Sequence, residues 1–173
     1  MKIENILVSP ANDSRIVLLK EEDGERYLPL FIGPAEANAI ALKLENVHVP
    51  RPMTHDLTKS VIEKLGASVE QVVVTELNDD VFYGMMVINQ SGQQIRIDSR
   101  PSDCMALALR FEAPIYVNEP ILDEAAMVID DQTGELRPIR ELPGYWPERR
   151  QQVDLPDVFL EAFEELDEGN DEG

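Results

Sequence analysis

The sequence predicts an α+β fold: a twisted, mainly antiparallel sheet packed by two or three helices, built from a duplicated hairpin-helix unit. Three observations carry this. Short runs alternate apolar and polar residues, as in Ile95-Arg96-Ile97-Asp98, the period of a strand with one buried face. Two stretches that open on proline instead place small and apolar residues at helical spacing, one stripe for the core. Those two stretches also match each other at a spacing of 67 residues: the segment 34–46 lies over 101–113. The prolines, Ala39/Ala106, Ala41/Ala108, Leu42/Leu109 and Glu45/Glu112 are identical, and Glu36/Asp103 and Lys43/Arg110 are conservative. Two units, 14–46 and 81–113, follow from this, with Glu36 and Asp103 at equivalent helix starts facing a common cleft or a subunit interface. Chance likeness between two proline-first amphipathic helices is the competing account.

In order, residues 3–8 form a first strand, ended by Ser9-Pro10. Ile16 to Leu19 and Tyr27 to Ile32 form a hairpin around Glu22-Asp23-Gly24-Glu25. Pro29 within the second of these argues for an edge position or a bulge. Pro34 opens a helix with Glu36 in its first turn and Ala37, Ile40, Ala41 and Leu44 as its stripe. Pro50 and Pro52 hold the next segment extended. Thr54 is a fitting N-cap for a helix over 55–65, with Leu57, Val61 and Leu65 along one side and Gly66 as its stop. Strands over 69–77 and 81–88 follow, then a turn at Gln90-Ser91-Gly92, a strand through Ile95 and Ile97, and a helix over 101–112. Ile115 to Val117 is a short strand and Ile121 to Met127 a short helix. Residues 128–153, punctuated by Gly134, Pro138, Pro143, Gly144 and Pro147, are expected as loops. The predicted organisation is a domain over 1–127, a loop-rich extension over 128–153, and an acidic tail over 154–173. That tail holds a short helix around Phe159, Phe163 and Leu166 and then disorder.

Composition narrows the function classes. The chain of 173 residues is long enough for a real core. No apolar run approaches the roughly 20 residues that cross a bilayer, and the N-terminus lacks the regions of a signal peptide. A single cysteine excludes an internal disulfide framework and fits a reducing cytosol, so a cytoplasmic protein is expected. The net charge is −19, and the segment 154–173 holds nine acidic residues and no basic one. The remaining 25 acidic and 15 basic residues leave a body at −10, a poor footprint for strong nucleic-acid binding.

The segment 95–110 organises the rest. It reads as a strand, a polar corner and a helix start, placing Asp98, Ser99, Arg100, Ser102 and Asp103 together. Pro101 suits the first helical position, and Asp103 meets the free N–H groups of the first turn. Cys104, Leu107, Ala108 and Phe111 form the helix's apolar stripe. A plain structural account stands beside any chemical one: Asp103 caps the helix and Arg100 pairs with a carboxylate.

Three motifs carry a family resemblance: Leu28-Pro29-Leu30-Phe31-Ile32-Gly33-Pro34-Ala35-Glu36-Ala37, Arg51-Pro52-Met53-Thr54-His55-Asp56-Leu57, and Asp98-Ser99-Arg100-Pro101-Ser102-Asp103 with its helix. Together they resemble the bifunctional nuclease domain family, over residues 5 to about 127. The resemblance implies a compact α+β fold and degradation of both RNA and DNA. Asn46 stands where a glycine is usual, Cys104 where alanine is usual, and the tail lacks the helical repair motif some members append.

Phosphodiester hydrolysis needs charge at the phosphate, an activated water and a proton for the leaving oxygen. Many nucleases hold divalent metal with carboxylates, and Mg²⁺ or Mn²⁺ wants oxygen ligands; Glu36, Asp56, Asp98 and Asp103 are available. The expected set is Glu36, Asp98 and Asp103 on metal, with Asp98, Asp103 and His55 as catalytic residues. Arg51, Arg100 and Ser102 would meet the substrate, and His55 is the general acid or base. Each has a structural alternative. Thr54 and Asp56 suffice as a helix start, and Arg51 with Asp98 or Asp103 makes a buried tie between the repeats. Cys104 lies on the core face, which argues against a nucleophile, and His48 points sideways from a sheet edge. The absence of HExxH, P-loop, GxSxG and CxxC motifs removes the other hydrolase readings. The alternative function is a non-catalytic regulatory or scaffold protein acting through a homo-oligomer, with a dimer favoured, or a protein partner. A third role has the acidic tail mimic nucleic acid and cover a basic groove.

Overall fold

The computed structural model describes residues 1–8, 14–130 and 133–141. In chain order the elements are β1 (Lys2–Val8), β2 (Arg15–Lys20), β3 (Tyr27–Ile32), α1 (Pro34–Leu44), α2 (Thr54–Lys64), β4 (Ala67–Asn78), β5 (Val81–Gln90), β6 (Gln93–Ser99), α3 (Pro101–Phe111), β7 (Ile115–Val117), α4 (Glu119–Ala125), β8 (Met127–Ile129) and β9 (Leu136–Pro138), then a 3-10 turn at Ile139–Glu141. The fold is α+β with two mostly antiparallel sheets. Two compact units divide them: Met1 with residues 32–118, and residues 2–31 with the described residues from 119 onward. No helix among the described residues is long and apolar enough to cross a membrane.

The second unit carries a sheet in the order β1-β2-β3-β8-β9. The continuous run Ile16-Val17-Leu18-Leu19 in β2 is buried throughout, which is why it lacks the alternation of a one-sided strand. Pro29 lies in β3, whose pairing with β8 is confined to Tyr27 opposite Met127, so no ladder bond to β8 is asked of the proline. Residues 127–138 correct the expected loops: β8 and β9 pair antiparallel, Met127 opposite Pro138 and Ile129 opposite Leu136. Gly134 makes the return possible at φ 79°, a left-handed value that favours glycine. The helix expected over 121–127 begins earlier, at Glu119, and ends at Ala125. The segment 142–153 and the acidic tail, with its helix around Phe159, Phe163 and Leu166, lie outside the described residues.

The first unit carries a sheet in the order β6-β5-β4-β7, antiparallel except for β7, which runs parallel to β4. Helix α3 packs on β4 and β5, with α1 and α2 against α3. Its central position shows in its burial: Cys104 to Ala108 are all buried. Both proline-first stretches form helices of 11 residues that end in left-handed residues, Asn46 at φ 52° and Glu112 at φ 56°. The Asn46 conformation accounts for the glycine usual there, because asparagine is the other residue that tolerates it well.

Three local expectations fail. The N-cap of α2 is Met53, whose N–H donates to Asp56 Oδ2 at 2.9 Å, so Thr54 is the first helical residue rather than the cap. The stripe Leu57, Val61 and Leu65 is exposed, at 59%, 47% and 65%, and the one buried residue of α2 is His55. Leu44 of α1 is likewise exposed, with Ala39 buried instead. Helix periodicity marks an apolar face without saying what covers it.

The tie among the helices is Arg110, 6% exposed. Its Nε donates to Asp56 Oδ1 at 2.6 Å, and its Nη1 donates to the carbonyls of Ala39 (3.2 Å) and Ala106 (2.9 Å). One side chain therefore joins α1, the first turn of α2 and α3. The buried tie expected between Arg51 and Asp98 or Asp103 is this pair instead; Arg51 is exposed and has no ion pair among the described residues. Lys59 adds a second link, its Nζ donating to the Arg110 carbonyl at 2.7 Å and lying over the Phe111 ring.

Removing the Arg110 guanidinium would take one donor from Asp56 and from each of the two carbonyls. Arg110→Met is expected to cost about 3 kcal/mol by urea denaturation, the range for breaking one side of a buried pair; a loss below roughly 1 kcal/mol would show the pair to be incidental. Burial would raise the Asp56 carboxyl, but the Met53 N–H and Arg110 outweigh it and hold it below the ordinary aspartate value. A lowered folded pKa contributes stability above the unfolded value of about 3.9 and loses it as pH falls through the folded one. Asp56→Asn should therefore cost most near neutrality, and the gap to wild type should close in acid. At Gly84 in β5, an added Cβ would stand 2.8 Å from the Ser99 carbonyl oxygen and 3.0 Å from Pro101 N and Cys104 Sγ. Gly84→Ala is expected to destabilise by about 1–3 kcal/mol through overpacking of the corner.

Candidate active site

The site lies in the first unit, where the N-termini of α1, α2 and α3 converge. From their first turns come Glu36, His55 and Asp103, while Asp56, next to His55, is turned to Arg110. Arg100, the extended residue between β6 and α3, joins them. Its Nη2 donates to Glu36 Oε1 at 2.6 Å and to Asp103 Oδ1 at 3.3 Å, and its Nε donates to Asp103 Oδ2 at 2.9 Å. Asp103 Oδ1 also lies 2.9 Å from His55 Nε2. The two equivalent helix starts thus face each other across one guanidinium, as the internal repeat suggested.

The charges follow from this geometry. Burial would push the Asp103 carboxyl up, but hydrogen bonds from Arg100 and His55, with the Arg100 charge, hold it below the ordinary value. Glu36 is held low first by its own backbone N–H and then by Arg100. Arg100 is pushed further up by Asp103 and Glu36. An ionised Asp103 only accepts hydrogen bonds, so the proton between it and His55 sits on Nε2. In the neutral ring Nδ1 then carries the lone pair. His55 is 8% exposed and is oriented by this carboxylate.

Arg100 differs from Arg110. Its side chain is 64% exposed, and ion pairs in that setting are worth about 0–1 kcal/mol. It can leave one carboxylate for a phosphate oxygen at little cost, whereas Arg110 cannot move without undoing three contacts. The arrangement can orient and deprotonate a small nucleophile at His55 and place a guanidinium beside the charge that develops.

Not every expected residue arrives. Asp98 is exposed on β6 opposite Met85 and makes no ion pair among the described residues. The structure brings Glu36 and Asp103 together on Arg100 and leaves Asp98 out of that cluster. No group of three or more His, Cys, Asp or Glu among the described residues is arranged to hold an ion, and Arg100 already sits on the Glu36 and Asp103 oxygens. Ser102 is buried in the first turn of α3, where its N–H precedes the first intrahelical bond, from Cys104 N to Arg100 O. Cys104 is buried and its thiol pushed by burial up to about 12, so it is core, as its stripe position implies. His48 is exposed outside any strand. Sequence reasoning overlooked Arg110. The signal was present: it falls seven residues after Asp103, on the same helix face as Ala106 and Leu107, where a charge is out of place.

Known proteins share much of this sequence. The family model for the bifunctional nuclease domain matches residues 17–130. An uncharacterized protein of Mycobacterium tuberculosis is 39% identical over 135 residues, covering 78% of this chain and 80% of its own length. Bifunctional nuclease 1 of Oryza sativa subsp. japonica is 31% identical over 109 residues, 61% of this chain and 33% of that protein. Bifunctional nuclease 2 of Arabidopsis thaliana is 27% identical over 124 residues, 69% of this chain and 37% of that protein. The chain spans about a third of the plant proteins, and most of the mycobacterial one. The matched region contains Glu36, His55, Arg100, Asp103 and Arg110. This chain belongs to the bifunctional nuclease domain family.

Proposed function

We propose that this protein is a nuclease hydrolysing phosphodiester bonds of RNA and DNA, with His55 and Asp103 as its acid–base pair. The observation that carries the reading is the 2.9 Å contact of His55 Nε2 with a carboxylate that Arg100 keeps ionised. Hydrolysis of DNA requires an activated water, since no 2′-hydroxyl is available. His55 Nδ1 takes the proton from that water as its oxygen bonds to phosphorus. Asp103 stabilises the imidazolium, which gives that proton to the leaving oxygen as the bond from phosphorus to that oxygen breaks. Arg100, with Arg51 and the N–H groups of Ser102 and Asp103, offsets the charge on the phosphate oxygens. The field of an acidic body opposes long-range attraction, which suits a single-stranded or loosely structured substrate held by few contacts.

The divalent metal expected from the sequence enters this proposal only if Arg100 releases Glu36 and Asp103. A non-catalytic reading has one observation in its favour: Arg100, Glu36 and Asp103 already satisfy one another, as structural caps would.

One assay separates these readings. Labelled single-stranded RNA and DNA are incubated with purified protein in Mg²⁺, Mn²⁺ or EDTA, beside His55→Gln and Asp103→Asn purified identically. The expected result is cleavage in all three conditions, lowered about 100-fold or more in each variant, with melting temperatures within a few degrees of wild type. Cleavage confined to the metal conditions would put Glu36 and Asp103 on an ion and overturn the reading drawn from Arg100. Equal residual cleavage in wild type and variants would identify a contaminant and leave the binding role.

A further inference from the structure

Strand β6 ends its sheet, and Gln93 to Asp98 are all exposed. The alternation of Ile95 and Ile97 predicts one buried face; instead both are open to water, at 38% and 39%. An open edge presents a row of unpaired main-chain groups, which folded proteins cover, charge or pair.

The hairpin with β5 decides which groups face outward. Gln90 and Gln93 flank a two-residue turn, Ser91-Gly92, with φ of 52° and 86°. The pair closing such a turn exchanges main-chain hydrogen bonds, and bonded pairs then alternate along the ladder. Ile95 opposite Ile88, Ile97 opposite Met86 and Ser99 opposite Gly84 therefore bond inward. Gln94, Arg96 and Asp98 turn their N–H and C=O groups to the free edge.

We propose that a second copy of this chain pairs antiparallel with this edge, β6 against β6, about a two-fold axis at Ile97. Outward-facing groups must meet outward-facing groups, which leaves few registers. Centring on Arg96 sets Arg96 against its own copy, and centring on Asp98 does the same for Asp98; like charges directly opposite are destabilising. Centring on Ile97 sets Arg96 against the partner subunit's Asp98, and the symmetry repeats the pair. Neither Arg96 nor Asp98 has an ion pair within the chain among the described residues. Ile97 meets the partner subunit's Ile97 at a non-hydrogen-bonded position, where side chains approach most closely. The edge is complementary to itself, as an isologous interface requires.

The test is sedimentation of the full chain over a range of concentrations. Wild type is expected to reach twice the monomer mass. Arg96→Asp and Asp98→Arg, each placing two like-charged pairs across the axis, are expected to stay monomeric. An equimolar mixture of these two variants, and the double variant Arg96→Asp/Asp98→Arg, should associate again, because opposite charges face each other once more. In Ile97→Cys, oxidation should link the copies covalently. A wild type that stays monomeric throughout overturns the proposal. So does a dimer indifferent to the charge reversals, which would lie on another surface.

Discussion

The buried contact of Arg110 with Asp56 underlies the arrangement of the site. Helices α1, α2 and α3 each present a first turn to the same place, and short helices have no intrinsic reason to converge there. Arg110 supplies one through the Ala39 and Ala106 carbonyls and the Asp56 carboxylate. Asp56 in turn accepts the Met53 N–H, which sets where α2 begins. His55 is the residue before Asp56, so anchoring one aims the other at Asp103. Guanidinium geometry suits this use, since a planar fork of fixed donors meets several acceptors at once and stays charged when buried.

Two arginines on one short segment thus take opposite parts. Arg110 is enclosed and bonded to three acceptors on three helices, so it is committed to the fold. Arg100 is exposed, and its pairs with Glu36 and Asp103 compete with water on nearly even terms. The phosphate contact proposed for Arg100 requires it to change partners, and exposure is what makes that inexpensive. The Asp103 carboxylate that holds Arg100 also orients His55, so the structural and chemical accounts of Asp103 do not exclude each other.

The corner from β6 to α3 links the sheet edge to this site. Gly84 leaves room for Ser99 and Pro101 to pass close over β5, with Arg100 between them. Pairing through β6 would brace the strand that delivers Arg100. The relatives that carry the name of bifunctional nuclease are far longer than this chain, while the mycobacterial relative is of similar extent.

The sequence by itself determined most of the elements and which helix starts make up the candidate site. Proline-first helices, alternating strands and a repeat placing Glu36 and Asp103 at equivalent starts are local patterns, and backbone stereochemistry reads them residue by residue. It also marked Arg100 and His55 as candidates, because few charged residues fall at such junctions. Tertiary structure decided which of these side chains meet. It set Arg100 between Glu36 and Asp103, left Asp98 on an open strand edge and buried His55 while exposing the apolar stripe of α2. It also replaced an expected tie through Arg51 with one through Arg110, and ordered residues 127–138 into a hairpin. The physical reason is that a stripe or a charge has a direction only relative to its own element. What lies across from it depends on contacts between residues far apart in the chain, whose partners no local pattern names.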